Sequence, residues 1–286
     1  MRVFITGASG YIGRAVAAAL RRRGHRVAGL TRSAAKARLL AAGELEAVTG
    51  DMRDSKAWEA AARGADVLIH CAVEYGADYE ALDLKTVEAL LALGGKVIYT
   101  SGVWQYGPGG PFDESSAGKP LMPWRSEHEK RVLSAQGLVI RPGCVYGGSG
   151  GLTGLWFQGA LEEKAAPIVG DGANRWAVVH LEDLADLYAR AAESALSGEM
   201  LNAVDGSRFT VREMAEAASR AAGAGGAVEA LAFAEAEKRY GGMAHGLALN
   251  QNVDASKAAR LLGWEPRFKG FPPDAELYFA AWRAFR

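Results

Sequence analysis

The segment Gly7-Ala8-Ser9-Gly10-Tyr11-Ile12-Gly13 follows an apolar run, Val3–Thr6, and precedes a stretch with helical periodicity. In a strand–turn–helix context Gly7 allows a tight turn, Gly10 lets the backbone approach a pyrophosphate, and Gly13 lets helix and strand pack closely. The phosphates then face the free N–H groups that open the helix. A glycine turn without a ligand is the alternative, but this context favours a dinucleotide site.

Strand-like and helix-like segments alternate from this loop to about residue 142, which predicts a parallel sheet with helices on both faces. The predicted strands are Val3–Thr6, Val27–Leu30, Glu46–Thr49, Val67–Cys71, Lys96–Thr100 and Leu138–Arg141. The predicted helices are Ile12–Arg23, Ala34–Ala42, Ser55–Ala62 capped by Asp54, Tyr79–Leu93 and Trp124–Gln136. Residues 102–123 hold four of the nine prolines and five glycines, and are expected to form a long loop.

Beyond Pro142 the regular alternation ends, and short helices are predicted near 151–163, 184–194, 211–222 and 256–262. The expected fold class is α/β, a Rossmann-type doubly wound parallel sheet with a smaller mixed C-terminal substrate cap. We assign 1–150 to the nucleotide-binding domain, with strand elements returning from about 175–205, and 151–286 mostly to the cap.

The end of the second strand bears on the choice of cofactor. An NAD site usually has an Asp or Glu there for the ribose 2′-hydroxyl, whereas an Arg accommodates a 2′-phosphate. This chain reads Thr31-Arg32-Ser33, with no carboxylate between Val27 and Leu40. Arg32 can make a forked, charge-assisted contact with the 2′-phosphate, and Thr31 or Ser33 can add a hydrogen bond from its hydroxyl. The sequence therefore predicts NADP rather than NAD, although a simple exposed loop arginine is the alternative.

Composition narrows the range of partners. Lys plus Arg (33) balances Asp plus Glu (33), which favours neither a nucleic-acid nor a membrane partner. The two cysteines, Cys71 and Cys144, match no metal-site spacing, so no metal is expected, and they fit a reducing cytoplasm. No basic leader with an apolar region and cleavage site is recognisable, and no uncharged apolar stretch approaches the ~18 to 20 residues that span a bilayer. We expect a cytoplasmic protein with a small-molecule substrate.

Several short motifs in order resemble the extended short-chain dehydrogenase/reductase family, the NAD(P)-dependent epimerase/dehydratase group. The glycine loop has that family's GxxGxxG form. The other matching segments are Gly50–Asp54, His70-Cys71-Ala72, Tyr99–Gly102, Tyr106-Gly107, Arg141–Gly147, Gly170–Gly172, Val179–Ala185, Leu201–Ala203 and Asp254–Pro266. The resemblance implies a Rossmann domain with a substrate cap, and hydride chemistry on a sugar nucleotide or a small carbonyl compound.

The resemblance also implies further cofactor contacts. Asp51 and Met52 lie in a segment similar to the family's adenine-contacting turn, and Cys71 and Ala72 end the strand beside the cofactor. The segment with Pro142 and Gly143 resembles the one that flanks the nicotinamide. Within the glycine loop, Ser9, Tyr11 and Ile12 join the three glycines as cofactor-binding candidates.

The chain departs from the family where the chemistry takes place. Such enzymes generally use a Tyr-x-x-x-Lys pair and a Ser or Thr, because a neighbouring ammonium brings the phenol pKa toward neutrality. If Glu129 matches the glutamate that commonly follows the pair, Leu121 and Arg125 stand at the Tyr and Lys positions. Counting back from Tyr106 puts Gly102 at the Ser or Thr position, one residue after Ser101.

The substitute catalytic candidates are Tyr106 as proton donor, Ser101 as orienting hydroxyl and Arg125 as a holder of an anionic substrate. Packing of Tyr106 in the substrate wall and a surface role for Arg125 are the alternatives. An arginine cannot titrate near neutral pH, since its pKa exceeds ~12. Glu127 and His128 are expected on a solvated helix face.

Trp104, Tyr146 and Arg175 are the candidate substrate contacts, with packing or a solvated salt bridge as the alternatives. Two functions remain open: an atypical oxidoreductase or epimerase with NADP(H), and a non-catalytic NADP(H)-binding sensor or interaction protein. The helix from Trp124 has a narrow apolar stripe that its own sheet should cover, so we expect a monomer or weak homodimer.

Overall fold

The computed structural model describes residues 1–74 and 76–286, and its strands alternate with helices along most of the chain. The strands are β1 Arg2–Thr6, β2 Arg26–Thr31, β3 Glu46–Thr49, β4 Val67–His70, β5 Lys96–Thr100, β6 Gly109–Phe112, β7 Leu138–Pro142, β8 Cys144–Tyr146, β9 Ala166–Val169, β10 Val178–His180, β11 Met200–Ala203, β12 Val228–Leu231 and β13 Gln251–Val253. The helices are α1 Tyr11–Arg22, α2 Ala34–Ala42, α3 Lys56–Ala62, α4 Tyr79–Leu91, α5 Pro123–Ser134, α6 Gly154–Glu162, α7 Leu181–Glu193, α8 Val211–Ala221, α9 Phe233–Tyr240, α10 Met243–Leu247, α11 Ser256–Leu262 and α12 Ala275–Ala284.

In the described part of the chain, one parallel sheet contains seven strands in the order β3-β2-β1-β4-β5-β7-β11. The first five positions have the order of a doubly wound sheet. Strands β2 and β3 are added on one side of β1, and the chain then crosses over to add β4 and β5 on the other side. Because all these strands are parallel, the residues that follow their carboxyl ends meet along one edge. The predicted α/β fold with a Rossmann-type parallel sheet is confirmed.

Alternating strand residues face two cores. In β1, Val3 and Ile5 pack with α1 and α7 on one face, whereas Phe4 packs with α3, α4 and α5 on the other. This two-residue period is what a strand buried on both faces requires. Both faces of the sheet are therefore covered by helices.

A third, aromatic core lies in the C-terminal part of the chain. Trp156 stacks on Trp176 at 5.1 Å between ring centroids, and Phe271 contacts Trp156 edge to face. The β9–β12 pair and the helices α6, α8 and α12 surround these rings. The division at residue 150 stays a prediction, and α7 packs with the sheet layer although it follows that boundary.

Several local predictions need correction. The loop 102–123 contains a 3₁₀ turn, Val103–Tyr106, and the short strand β6, which pairs with β13. Asp54 does not cap α3: the cap position is Ser55, without a side-chain cap bond. Strands β8, β9, β12 and β13 and helices α9, α10 and α12 were not predicted, because short elements carry little periodicity.

Candidate cofactor and reaction site

The glycine loop forms a tight turn at the carboxyl end of β1. Gly7 has a φ of +76°, and the Gly10 N–H donates to the Gly7 carbonyl at 2.8 Å. The Arg14 N–H donates to Gly10 at 3.1 Å, so the amides of residues 11–13 lie ahead of that helical bond. Gly10 is exposed at the mouth of the turn. Amides that face outward beside an exposed glycine fit a diphosphate.

Gly13 and Gly7 allow neighbouring backbone segments to approach the turn closely. A Cβ on Gly13 would lie 2.2 Å from the Gly7 carbonyl oxygen, and a Cβ on Gly7 would lie 2.6 Å from the Ala72 nitrogen. Gly7 therefore abuts Ala72, which follows β4 next to Cys71. The loop and the end of β4 are thus in direct contact, although the cofactor roles of Cys71 and Ala72 remain proposals.

Tyr11 turns away from the helix axis toward the segment 147–151. Its hydroxyl donates to the Gly147 carbonyl at 2.6 Å, and Arg14 donates to the Ser149 hydroxyl at 2.7 Å. Burial raises the pKa of the Tyr11 phenol far above its ordinary range, so this phenol stays a donor at neutral pH. The first helix therefore holds a glycine-rich segment of the chain beside the phosphate turn.

The end of β2 lies beside two carboxylates from elsewhere in the chain. Arg32 is exposed, and its guanidinium lies 2.9 Å from Glu74 and 3.7 Å from Asp51. The Ser33 hydroxyl caps α2 by accepting the Lys36 N–H, while Thr31 is buried. Met52 is partly buried against the core. Arg32 and Asp51 therefore meet at this edge, but Glu74 meets them as well.

Glu74 is a residue that sequence reasoning missed. The sequence has no carboxylate on β2, yet tertiary structure brings one to Arg32 from the segment after β4. The available signal was position: residues just beyond the carboxyl ends of neighbouring parallel strands share one edge of the sheet.

The nicotinamide end of the predicted site is closely packed. The Thr100 hydroxyl is 2.6 Å from the Tyr188 hydroxyl and donates to the Cys71 sulfur at 3.4 Å. Burial raises the pKa of the Cys71 thiol to about 12, so it is not a thiolate at neutral pH. Pro142 ends β7, and the Gly143 N–H donates to Ala203 at 2.9 Å. Their contacts with a cofactor stay proposals.

Unpartnered polar atoms cluster in the segment 101–107 after β5, which we call the reaction loop, and at the start of α5. Among the described residues, the buried side-chain atoms without a hydrogen-bond partner include Ser101 Oγ, Gln105 Oε1, Trp124 Nε1 and Arg125 Nε. The Gln105 amide and the Arg125 N–H both donate to the Met122 carbonyl, at 3.1 Å each. Because buried polar groups normally have partners, this cluster indicates a place for a polar ligand.

The Arg125 guanidinium is fixed by two contacts, while its Nε has no hydrogen-bond partner. One terminal nitrogen donates to the Thr100 carbonyl at 2.8 Å, and the guanidinium lies over the Trp124 ring at 4.7 Å. In the part of the chain that the structure describes, no carboxylate lies within salt-bridge distance of it. This arrangement suits a fixed positive charge beside Ser101.

The structure argues against Tyr106 as a proton donor. The side chain is 1% exposed, its hydroxyl donates to Asn202 Oδ1 at 2.9 Å, and its ring stacks on Phe112. Burial raises its pKa, although the Arg141 guanidinium, 4.6 Å above the ring, opposes this. With its hydroxyl committed inside the protein, Tyr106 packs in the wall instead.

The three candidate substrate contacts lie in different surroundings. Tyr146 is fully buried and donates to Asp205 at 2.9 Å, which favours the packing alternative. Trp104 is half-buried and packs against Gly246, where a Cβ would lie 2.3 Å from its ring. Arg175 is exposed and donates from Nε to the Arg208 carbonyl at 2.8 Å. Trp104 and Arg175 remain proposals.

A buried polar cluster beneath the reaction loop was also missed. Asp83 on α4 accepts the Tyr99 hydroxyl at 2.8 Å, while His70 and His128 approach it at 3.2 and 2.7 Å. The expectation of a solvated His128 is wrong, since it is 4% exposed, whereas Glu127 is exposed as expected. The hydrophobic periodicity of α5 gives no indication that Asp83 on α4 pairs with His128.

Asp83 is ionised in this cluster. Burial alone raises the pKa of its carboxyl, but the charge interaction with His70 and one hydrogen bond from each histidine hold that pKa well below its usual range. The far side of His70 is 2.5 Å from the Thr6 hydroxyl. A buried polar chain thus joins the strand of the glycine loop to the helix that carries Arg125.

The chain is similar to known proteins in its sequence. The model of the NAD dependent epimerase/dehydratase family matches residues 3–203. A UDP-glucose 4-epimerase from Mycolicibacterium smegmatis is 26% identical, over 93% of this chain and 94% of its own.

Solved structures share the fold. A UDP-glucose 4-epimerase from Bifidobacterium longum, in complex with NAD⁺ and UDP, has a TM-score of 0.82 at 19% identity, covering 100% of this chain and 99% of that one. A human epimerase family protein with NADPH has a TM-score of 0.79 at 22% identity, covering 98% and 99%. The neighbours thus include one protein with NAD⁺ and one with NADPH.

Proposed function

Because the chain belongs to the NAD dependent epimerase/dehydratase family, we propose that it is an NADP(H)-binding oxidoreductase or epimerase with non-standard catalytic residues. Its substrate is a small polar carbonyl compound or one like a sugar nucleotide. The observation that carries this proposal is the unpartnered cluster of Ser101, Gln105, Trp124 and Arg125 at the carboxyl edge of the sheet that bears the glycine turn.

The geometry of the glycine turn and of Arg32 supports the proposed binding roles. The amides that open α1 hold the diphosphate, and Arg32 faces the adenosine ribose, where a 2′-phosphate gives it a charge-assisted partner. When bound, a nicotinamide cofactor supplies or accepts the hydride. Gly7 keeps the turn close to the end of β4, since a side chain at Gly7 would strike the Ala72 backbone.

The reaction roles belong to two residues. The Ser101 hydroxyl orients the reacting hydroxyl or carbonyl, since it is buried without a partner. Arg125 holds negative charge on the substrate without exchanging a proton, because an arginine stays charged at neutral pH. With Tyr106 committed to Asn202, the exchanged proton comes from water.

Two further properties belong to the proposal. Outward-facing residues of α5, among them Glu127, Lys130 and Arg131, are charged and exposed, which favours a monomer or weak homodimer. Both cysteines are free, which agrees with a reducing compartment such as the cytoplasm. No described helix is long and apolar enough to span a bilayer.

The test combines binding and turnover. We expect NADPH at one hundred times its dissociation constant to raise the free energy of unfolding by about 2.7 kcal/mol, and NADH at the same concentration to raise it less. NADPH consumption is then followed with small carbonyl compounds and UDP-sugars. Ser101→Ala should lower kcat at least tenfold, whereas the control Ser134→Ala on the exposed side of α5 should not change it.

Two results would count against the proposal. Stabilisation by neither nucleotide removes the cofactor site. Stabilisation by NADPH without any substrate-dependent consumption favours the non-catalytic binding protein instead. A tight dimer in a solution mass measurement would contradict the oligomeric part alone.

A further inference from the structure

Five charged side chains meet where the adenosine end of the proposed cofactor would lie. They come from the segments that follow β2, β3 and β4, and they are Arg32, Asp51, Arg53, Glu74 and Asp78. Three are acidic and two are basic, so this cluster has a formal charge of −1. A purely basic 2′-phosphate site is therefore not what the fold assembles.

Glu74 occupies the centre of this cluster. One carboxylate oxygen lies 2.9 Å from the Arg32 guanidinium and the other lies 3.2 Å from that of Arg53. Its side chain is 22% exposed, compared with 59% for Arg32 and 42% for Arg53. A single carboxylate thus takes one hydrogen-bonding position on each of the two arginines.

The two guanidiniums differ in what else they contact. Arg53 is also paired with Asp78 through both terminal nitrogens. Arg32 has Glu74 as its close partner, with Asp51 farther away at 3.7 Å. Removing the Glu74 charge would therefore release Arg32 more than it releases Arg53.

We propose that Glu74 sets the cofactor preference by competing with the 2′-phosphate for Arg32. The inference rests on the proposed function, which places the adenosine ribose beside Arg32. Carboxylate and phosphate oxygens both accept the forked guanidinium donors, so they compete for the same positions. A phosphate also brings charge of the same sign toward Glu74, Asp51 and Asp78.

NAD does not meet this opposition. Its ribose 2′-hydroxyl is neutral and donates a hydrogen bond to a carboxylate, which is the role an acidic residue has in NAD sites. Glu74 therefore favours the hydroxyl and opposes the phosphate, while Arg32 does the reverse. The result is a protein that discriminates modestly between the two cofactors.

The experiment measures binding of 2′,5′-ADP and of 5′-ADP by calorimetry at one low ionic strength, on the full chain. These probes differ only in the 2′-phosphate. Glu74→Gln preserves the shape of the side chain and removes its charge. Asp78→Asn is the matched control, because it removes an equal charge from the same cluster without touching Arg32.

We expect Glu74→Gln to raise the affinity ratio of 2′,5′-ADP to 5′-ADP about tenfold, within the range for charges a few ångströms apart near a surface. Asp78→Asn should change that ratio less than threefold. A ratio for Glu74→Gln that is unchanged or lower would overturn the inference, since Glu74 would then only orient the arginines.

The wild-type protein separates this inference from the proposed function. If it prefers 5′-ADP, the NADP assignment fails, but a tenfold rise in Glu74→Gln still supports the role of Glu74. If it prefers 2′,5′-ADP and Glu74→Gln changes nothing, only the inference fails. Binding of neither probe overturns both.

Discussion

The phosphate end and the reaction end of the proposed site are built from different parts of the protein. At the phosphate end the contacts come from backbone amides and from the absence of side chains, as at Gly7 and Gly13. At the reaction end they come from side chains on separate elements, such as Ser101 after β5 and Arg125 on α5. The first arrangement is local in sequence, whereas the second depends on how distant elements pack.

This difference affects what each end tolerates. A backbone site loses its shape when a single Cβ is added, because carbonyl oxygens cannot move aside. A side-chain site keeps its place only while the elements beneath it stay fixed by buried pairs. Substitutions at each end, and between them, should therefore differ in their effects on stability and on cofactor binding.

Glu129→Gln tests the support of the reaction end. Glu129 and Arg141 are both buried and form a two-point contact at 2.8 and 2.5 Å that fixes α5 against β7. Removing the charge leaves a buried arginine unpaired, which should lower the free energy of unfolding by about 3 kcal/mol in chemical denaturation. The exposed pair Glu127–Lys130 on the same helix provides the control, since Glu127→Gln should cost less than ~1 kcal/mol. Equal losses in the two variants would contradict this account.

Gly13→Ala tests the phosphate end. The added Cβ would lie 2.2 Å from the Gly7 carbonyl, so the helix and the turn must separate. We expect a loss of about 1–3 kcal/mol in stability and at least a tenfold loss in NADPH affinity. Gly242→Ala is the matched substitution, because a Cβ there has no neighbour within 4 Å. If the Gly13→Ala variant bound NADPH as tightly as the Gly242→Ala variant, the proposed diphosphate site would not depend on Gly13.

His180 lies where the sheet layer meets the aromatic core. Its protonation should make the stability of this junction depend on pH. Burial lowers the pKa of His180 to about 4, with a smaller contribution from Arg267. Its Nδ1 accepts the Glu182 N–H at 3.2 Å, which requires that nitrogen to be unprotonated. In the unfolded chain the imidazole has a pKa of about 6.5, so the unfolded state binds more protons between these values.

The stability that this histidine provides is therefore fully present above about pH 6.5 and is lost as the pH falls toward 4. We expect a loss on the order of 2 kcal/mol, measured by urea denaturation across that window. His180→Asn keeps a side-chain acceptor for the helix cap but does not titrate. Parallel pH profiles for the wild type and His180→Asn would show that His180 is not the group responsible.

Tyr106→Phe has the smallest expected effect and separates packing from catalysis. The change leaves the buried Asn202 Oδ1 without its donor, which should cost about 1 kcal/mol in stability. It should leave kcat and the pH dependence of turnover unchanged. A loss of turnover greater than tenfold with normal stability would restore Tyr106 as a proton donor.

Sequence reasoning succeeded where a few neighbouring residues define the geometry. The Gly7–Gly13 turn, the alternating strands and the family could be predicted because their signals lie within short windows. The solvated position expected for His128 is wrong, since that side chain is buried, and burial of Tyr106 and Tyr146 favours their packing alternatives. Their surroundings come from β11, from the loop after it and from α4, and no local period encodes those contacts.

The alternating strands and the glycine turn could be predicted from neighbouring residues, because a strand–glycine–helix junction needs no distant partner to take its shape. The pairing of Arg32 with Glu74, and the position of Asp83 between two histidines that lower its pKa, could not be predicted in this way. Charge interactions depend on separation in space, and the folded sheet brings together the ends of strands that are far apart along the chain.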